Sequence, residues 1–136
     1  VQVLLVGLGS ACGGLARWGV SLGAARWLGT TFPYGTLLIN LSGCLFIGWF
    51  ATLASERLIS LENLALFQGT WLRPDDLKLL VAVGFTGAYT TFSTFEWEAN
   101  GLFRDGESVA GTLYLVGSVA LGLLAVRMGV LLARAG

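Results

Sequence analysis

The chain has 136 residues, with eight basic and eight acidic side chains, no histidine and a net charge of zero. It is 55% hydrophobic and 12% charged with a mean hydropathy of +0.77, whereas a soluble domain carries about 25% charged residues. A basic field for nucleic acid is thereby excluded, and the composition points to an all-α integral membrane protein folded as one domain over 1–136.

The charges are segregated: Val1 to Ala16, Trp27 to Ser55 and Leu79 to Phe95 contain none. A membrane helix needs ~20 mostly apolar residues, so four spans are predicted, at about 3–22, 34–55, 75–100 and 108–133. The first lacks the basic flank of a secretory signal, and the same pattern recurs three times, so it is expected to be a mature span. Pro33 precedes the second span, and Pro74 with Asp75 and Asp76 opens the third; these residues favour helix starts. The segment 56–73 mixes leucines with Arg57, Glu62, Asn63 and Gln68, and reads as an interfacial helix or a folded loop.

Cys12 and Cys44 fall inside predicted spans, where a thiol packs as a small apolar group. Gly9 and Gly13, Gly19 and Gly23, Ser118 and Gly122, and Ala125 and Gly129 are each four apart, a spacing that brings helix backbones close in lipid. Such pairs serve packing within one subunit or association with a second. Four crossings put Arg57, Arg73, Lys78 and Arg134 on one side of the membrane. Arg26 and Arg104 lie on the other, with Arg17 reaching it from within the first span. So even a distribution gives little orientation bias, which is compatible with insertion both ways and pairing of opposite copies.

Polar groups at membrane depth are costly and mark function or packing. Thr36, Asn40 and Gly43 share one face of the second span, and Tyr114 and Ser118 one face of the fourth. Asn40 serves either as interhelical glue or as part of a polar track. Arg17 either snorkels to headgroups or answers carbonyls and carboxylates near a vestibule. No carboxylate lies deep in the first, second or fourth span, and no serine has a credible base. Catalysis is therefore not expected.

The third span contains Gly84, Gly87, Thr90 and Thr91, all poor helix formers, and a break near its middle is predicted. A break frees carbonyls, which make a cation site without acidic side chains. Phe92 and Phe95 follow at i, i+3. Their ring edges are positive and suit an anion held weakly enough to leave again.

The stretches GGLAR (Gly13 to Arg17), GTLLINLSG (Gly35 to Gly43) and GFTGAYTTFSTFEWE (Gly84 to Glu98) resemble the signatures of the small fluoride channels called Fluc or CrcB. The resemblance covers three spans closely and the fourth through Tyr114 and Ser118. It implies an antiparallel, dual-topology homodimer in the cell membrane (the inner membrane of a bacterium), with two pores per dimer and passive fluoride efflux. It implies a structural Na+ held by the backbone carbonyls of Gly87 and Thr90, and no organic cofactor. Asn40, Phe92, Phe95, Thr36, Tyr114 and Ser118 match the fluoride pore, and Glu98 and Arg17 match vestibule positions. Two departures stand out: Gly122 replaces a common hydroxyl at the next step of the fourth-span ladder, and segment 56–73 is long. The alternative is a dual-topology, proton-coupled multidrug exporter. It would need a first-span carboxylate, which this chain lacks.

Overall fold

The computed structural model describes residues 1–56 and 73–136, and the interfacial segment expected at 56–73 falls almost wholly outside them. The described residues form helices joined by short turns, with no strand among them. Helix α1 spans Gln2–Leu28 and α2 spans Tyr34–Glu56. The third helical unit is composite: a short α3 (Pro74–Lys78), a π-helical stretch (Leu79–Thr86), a single turn α4 (Gly87–Tyr89) and α5 (Phe92–Arg104). Helix α6, Ser108–Ala135, closes the chain.

Among the described residues three helices, α1, α2 and α6, are long and apolar enough to cross a bilayer, so this is a multi-pass membrane protein. The composite unit contains no single helix of that length, because the backbone departs from the helix in its middle. Glycines with left-handed φ end α1 at Gly29 and turn the chain into α6 at Gly106, a conformation that glycine adopts at no steric cost.

The helices pack in parallel pairs. Glu98 hydrogen-bonds to Thr36 of α2 and Tyr114 of α6 near the helix starts, while Glu56 and Arg134 pair at the helix ends. α2 and α6 therefore run in the same direction. Between these points a Cβ on Gly48 would overlap the Val126 carbonyl, and one on Gly129 would overlap the Leu45 carbonyl. Only glycine allows backbones this close.

α1 makes the same kind of contact with the π-helical stretch. A Cβ on Gly9 would overlap the Leu80 carbonyl, and one on Gly13 the Phe85 carbonyl. The order of these contacts makes this pair parallel as well. A π-helix is wider than an α-helix and recurs at functional sites; here Thr86 Oγ1 donates to the Val81 carbonyl five residues back, at 3.0 Å. The other glycine spacing in α1 behaves differently: a Cβ on Gly19 or Gly23 would meet nothing within 4 Å. One buried cluster consists of Phe95, Ala99 and Tyr114 with Phe32, Leu37, Leu102 and Leu115 packed around them, and Ile39 is fully buried on α2. Many large apolar side chains face outward instead, among them Leu4, Trp18, Val83, Phe92 and Leu123. That surface suits lipid or another protein chain.

Candidate functional site

The site grows from the interruption of the third helical unit. Thr90 (φ −82°, ψ 162°) and Thr91 (φ −152°, ψ 124°) are both extended. A helix pairs each N–H with the carbonyl four residues back, and two of those pairings are diverted here. The Thr91 N–H donates to Asn40 Oδ1 at 2.9 Å instead of to the Gly87 carbonyl. The Thr94 N–H donates to Thr91 Oγ1 at 3.3 Å instead of to the Thr90 carbonyl. Thr91 is thus the N-cap of α5, a role for which threonine is well suited.

The predicted break is present, and its position follows from these bonds. Gly84 and Gly87 do not interrupt the chain. Gly84 lies in the π-helical stretch facing α1, and Gly87 is itself helical. The interruption falls instead at two β-branched residues with high extended propensity, of which Thr91 is held by the Asn40 side chain.

Asn40 completes the exchange. Its Nδ2 donates to the Thr91 carbonyl at 2.9 Å, so one side-chain amide pairs with both backbone groups of one extended residue. Next to it a Cβ on Gly43 would overlap Thr90 Cγ2, and Ser42 Oγ lies 2.8 Å from the Tyr89 hydroxyl. Three neighbouring residues of α2 therefore meet Tyr89, Thr90 and Thr91 in turn. A cavity of about 420 Å³ opens here, lined by Asn40, Gly43, Thr86, Gly87, Thr90, Thr91 and Phe92 among others.

Phe92 and Phe95 lie on the first turn of α5, with ring centroids 6.0 Å apart and planes at 51°. Their surroundings differ. Phe95 is 5% exposed and meets Tyr114 edge-on at 5.0 Å, whereas Phe92 is 74% exposed. Both stand at the positive end of the α5 dipole.

One turn further along α5, Glu98 is held by two hydroxyls. Thr36 Oγ1 donates to Oε1 and Tyr114 Oη to Oε2, each at 2.9 Å. Thr36 and Tyr114 are buried. The carboxylate borders a second cavity of about 330 Å³, whose walls include Thr30, Thr31, Tyr34 and Asp105. Ser118 lies one turn beyond Tyr114 on α6, and its Oγ is buried with no hydrogen-bond partner among the described residues. Such groups are rare and call for a ligand, a water or an ion. Gly122, at the next step, faces Cys44: a Cβ there would lie 3.4 Å from Cys44 Sγ. A thiol thus stands where the ladder lacks a hydroxyl.

The fold therefore gathers Thr36, Glu98, Tyr114, Phe95 and Phe92 into one connected path, with Asn40, Gly87 and Thr90 beside its far end. Arg17 is half-buried on α1 and makes no hydrogen bond or ion pair among the described residues. The polar face of α2 and the aromatic pair were readable from spacing. The partners Thr91, Ser42 and Tyr89 were not, because their contacts join residues about fifty positions apart and leave no local trace.

The family model described as CrcB-like protein, Camphor Resistance (CrcB), matches residues 4–130. The chain belongs to the CrcB family. Among relatives, a protein of Synechococcus sp. named "Fluoride-specific ion channel FluC" is 43% identical over 129 residues, covering 95% of this chain and 89% of that protein. Proteins of the same name from Trichormus variabilis and Rhizobium leguminosarum bv. trifolii are similar. The first is 43% identical, covering 96% of this chain and 87% of its own length. The second is 42% identical, covering 99% and 98%. The break, the aromatic pair and the hydroxyl-bound glutamate all lie inside the matched CrcB region. The family is one of ion channels by these names, not of enzymes.

Proposed function

We propose that this chain is a fluoride-selective ion channel of the cell membrane, passing fluoride passively down its electrochemical gradient. The observation that carries this reading is the interrupted helix, which sets an aromatic pair at a helix N-terminus in line with buried hydroxyls, in a chain related to proteins named fluoride channels. No lysine or arginine stands in that path, so nothing traps the anion, and conduction requires binding that is favourable yet escapable. Fluoride enters by the cavity beside Thr36 and Glu98, sheds water, and is passed among hydroxyls and ring edges. The unpartnered Ser118 Oγ is a donor suited to it. One Nδ2 hydrogen of Asn40 remains after the other is given to Thr91, and Asn40 lines the cavity beside the break.

The composite unit is read as the fourth crossing. α2 and α6 are parallel, so the chain between them must return across the membrane, and the composite unit supplies that return.

Two antiparallel copies with two pores are the assembly that best covers the apolar surface left open around Phe92. A structural Na+ fits the break. Because the N–H groups of Thr91 and Thr94 go to side chains, the carbonyls of Gly87 and Thr90 lack their helical donors. When bound there, the ion supplies a fixed positive charge beside the anion path. A proton-coupled exporter finds no support, since the carboxylate Glu98 accepts two hydroxyl hydrogen bonds and stands on α5, not on α1.

Fluoride efflux from proteoliposomes tests the reading. Fluoride flux is expected to exceed chloride flux by orders of magnitude, and Phe92→Ile or Phe95→Ile to reduce it. Equal chloride flux, or variants without effect, would overturn it.

A further inference from the structure

We infer that Asn40 is the positioning residue that holds the third helical unit open, and that α2 thereby shapes the cation site of its neighbour. The proposal rests on the channel reading for its functional consequence but not for its structural content.

A helix interrupted at membrane depth leaves backbone groups unpaired, and in a bilayer such groups are strongly disfavoured unless protein satisfies them. Thr91 faces a choice. With Thr90 and Thr91 both helical, the Thr91 N–H would return to the Gly87 carbonyl and close the break. As an extended residue it needs one donor and one acceptor from elsewhere. The Asn40 amide supplies both at 2.9 Å. Among neutral side chains only an amide presents N–H and C=O in parallel, the same arrangement by which one strand pairs with the next. This pairing also settles which way the Asn40 amide points, because the reverse placement would face donor to donor.

Gly43 does the steric half of the work. Its missing side chain leaves space that Thr90 Cγ2 occupies, so the extended residues seat on α2 rather than being pushed away. The consequence reaches the proposed ion site. While Asn40 holds the Thr91 N–H, the Gly87 carbonyl is free of its helical partner. If Asn40 lets go, Thr90 and Thr91 can become helical and that carbonyl is captured. Asn40 acts on the cation without touching it.

The experiment uses the full chain in lipid nanodiscs and reads Thr91 by backbone and Cβ chemical shifts, with amide exchange alongside. In the wild type, Thr91 is expected to carry extended-strand shifts together with a slowly exchanging amide. In Asn40→Ala the Thr91 shifts move to helical values, while those of α6 stay in place and report an intact fold. Asn40→Asp keeps the acceptor but loses the donor when ionised, and is expected to fall between the two. With two buried hydrogen bonds removed in Asn40→Ala, the sodium concentration for half-maximal thermal stabilisation rises about ten-fold or more. Extended Thr91 shifts retained in both variants would overturn the proposal. So would a freely exchanging Thr91 amide in the wild type, which needs no variant to fold. A wild-type protein that passes no fluoride would remove the channel reading and leave the Thr91 measurements to decide this one.

Discussion

The α2–α6 pair and the third helical unit use the same material to opposite ends. Both contain glycines in close contact with a neighbouring backbone. In α2–α6, Gly48 and Gly129 let two uninterrupted helices touch, and every backbone bond stays within its own helix. In the third unit, Gly43 across the interface admits Thr90, and the backbone bonds of two residues pass to the side chains of Asn40 and Thr91. What separates a packing seam from a break is therefore the presence of a side-chain amide and hydroxyl able to take over backbone hydrogen bonds. Glycine alone makes room but does not choose.

The comparison can be broken most forcefully at the seam. Gly129→Leu forces a side chain into the Leu45 carbonyl and the Trp49 amide, and overpacking of this kind costs about 3 kcal/mol or more. Loss of the folded species in size-exclusion and thermal unfolding is expected. A variant of wild-type stability would mean that the seam is not a tight contact.

The aromatic pair sharpens the contrast between buried and open parts of the break. Phe95→Ala removes a ring packed against Tyr114, with an expected loss of about 3 kcal/mol. Phe92→Ala, at an exposed position, should cost the single chain less than about 1 kcal/mol. If the Phe92 variant is the less stable one in a dimer-forming detergent, a partner chain covers it. Thermal melts at two protein concentrations distinguish the cases.

The hydroxyl pair on Glu98 comes next in size. Tyr114→Phe and Thr36→Val each remove one bond to a carboxylate, worth about 1.5–3 kcal/mol. Because both serve the same group, the double variant should depart from additivity by at least about 0.5 kcal/mol. Strict additivity would show that the two hydroxyls do not share Glu98 in solution.

The smallest effect is expected at the far end of the seam. Arg134 gives both of its hydrogen bonds to one oxygen of Glu56, and both residues are largely exposed. Exposed ion pairs are screened by water and salt and contribute little to stability. Glu56→Gln should therefore shift the unfolding transition little, and that little should vanish in high salt. A large shift would place the pair in a drier environment than its exposure indicates.

Much of this was legible in the residues. Charge-free runs located the helices, and the second of them begins at the residue after Pro33. The weak helix formers of GFTGAYTTFSTF foretold an interruption. The spacing of Thr36 and Asn40, and of Tyr114 and Ser118, put these polar groups on single faces. Other features were hidden. Nothing local announces the π-helical stretch at Leu79–Thr86, or that its Leu80 and Phe85 carbonyls lie against Gly9 and Gly13 of α1. Nothing local says that Gly9 and Gly13 are buried while Gly19 and Gly23 face open space, although the two pairs look alike in the sequence.

By itself, the sequence determined that this is a membrane protein of long apolar helices, with polar and aromatic groups concentrated in one weak stretch. Hydropathy, propensity and period are properties of neighbours in the chain, and they suffice for that much. Only the tertiary structure decided where the weak stretch opens. Gly84 and Gly87 were the weaker helix formers, yet the chain parts at Thr90 and Thr91. The reason is that unpaired backbone in a membrane needs partners, and Asn40 of α2 offers them at that point.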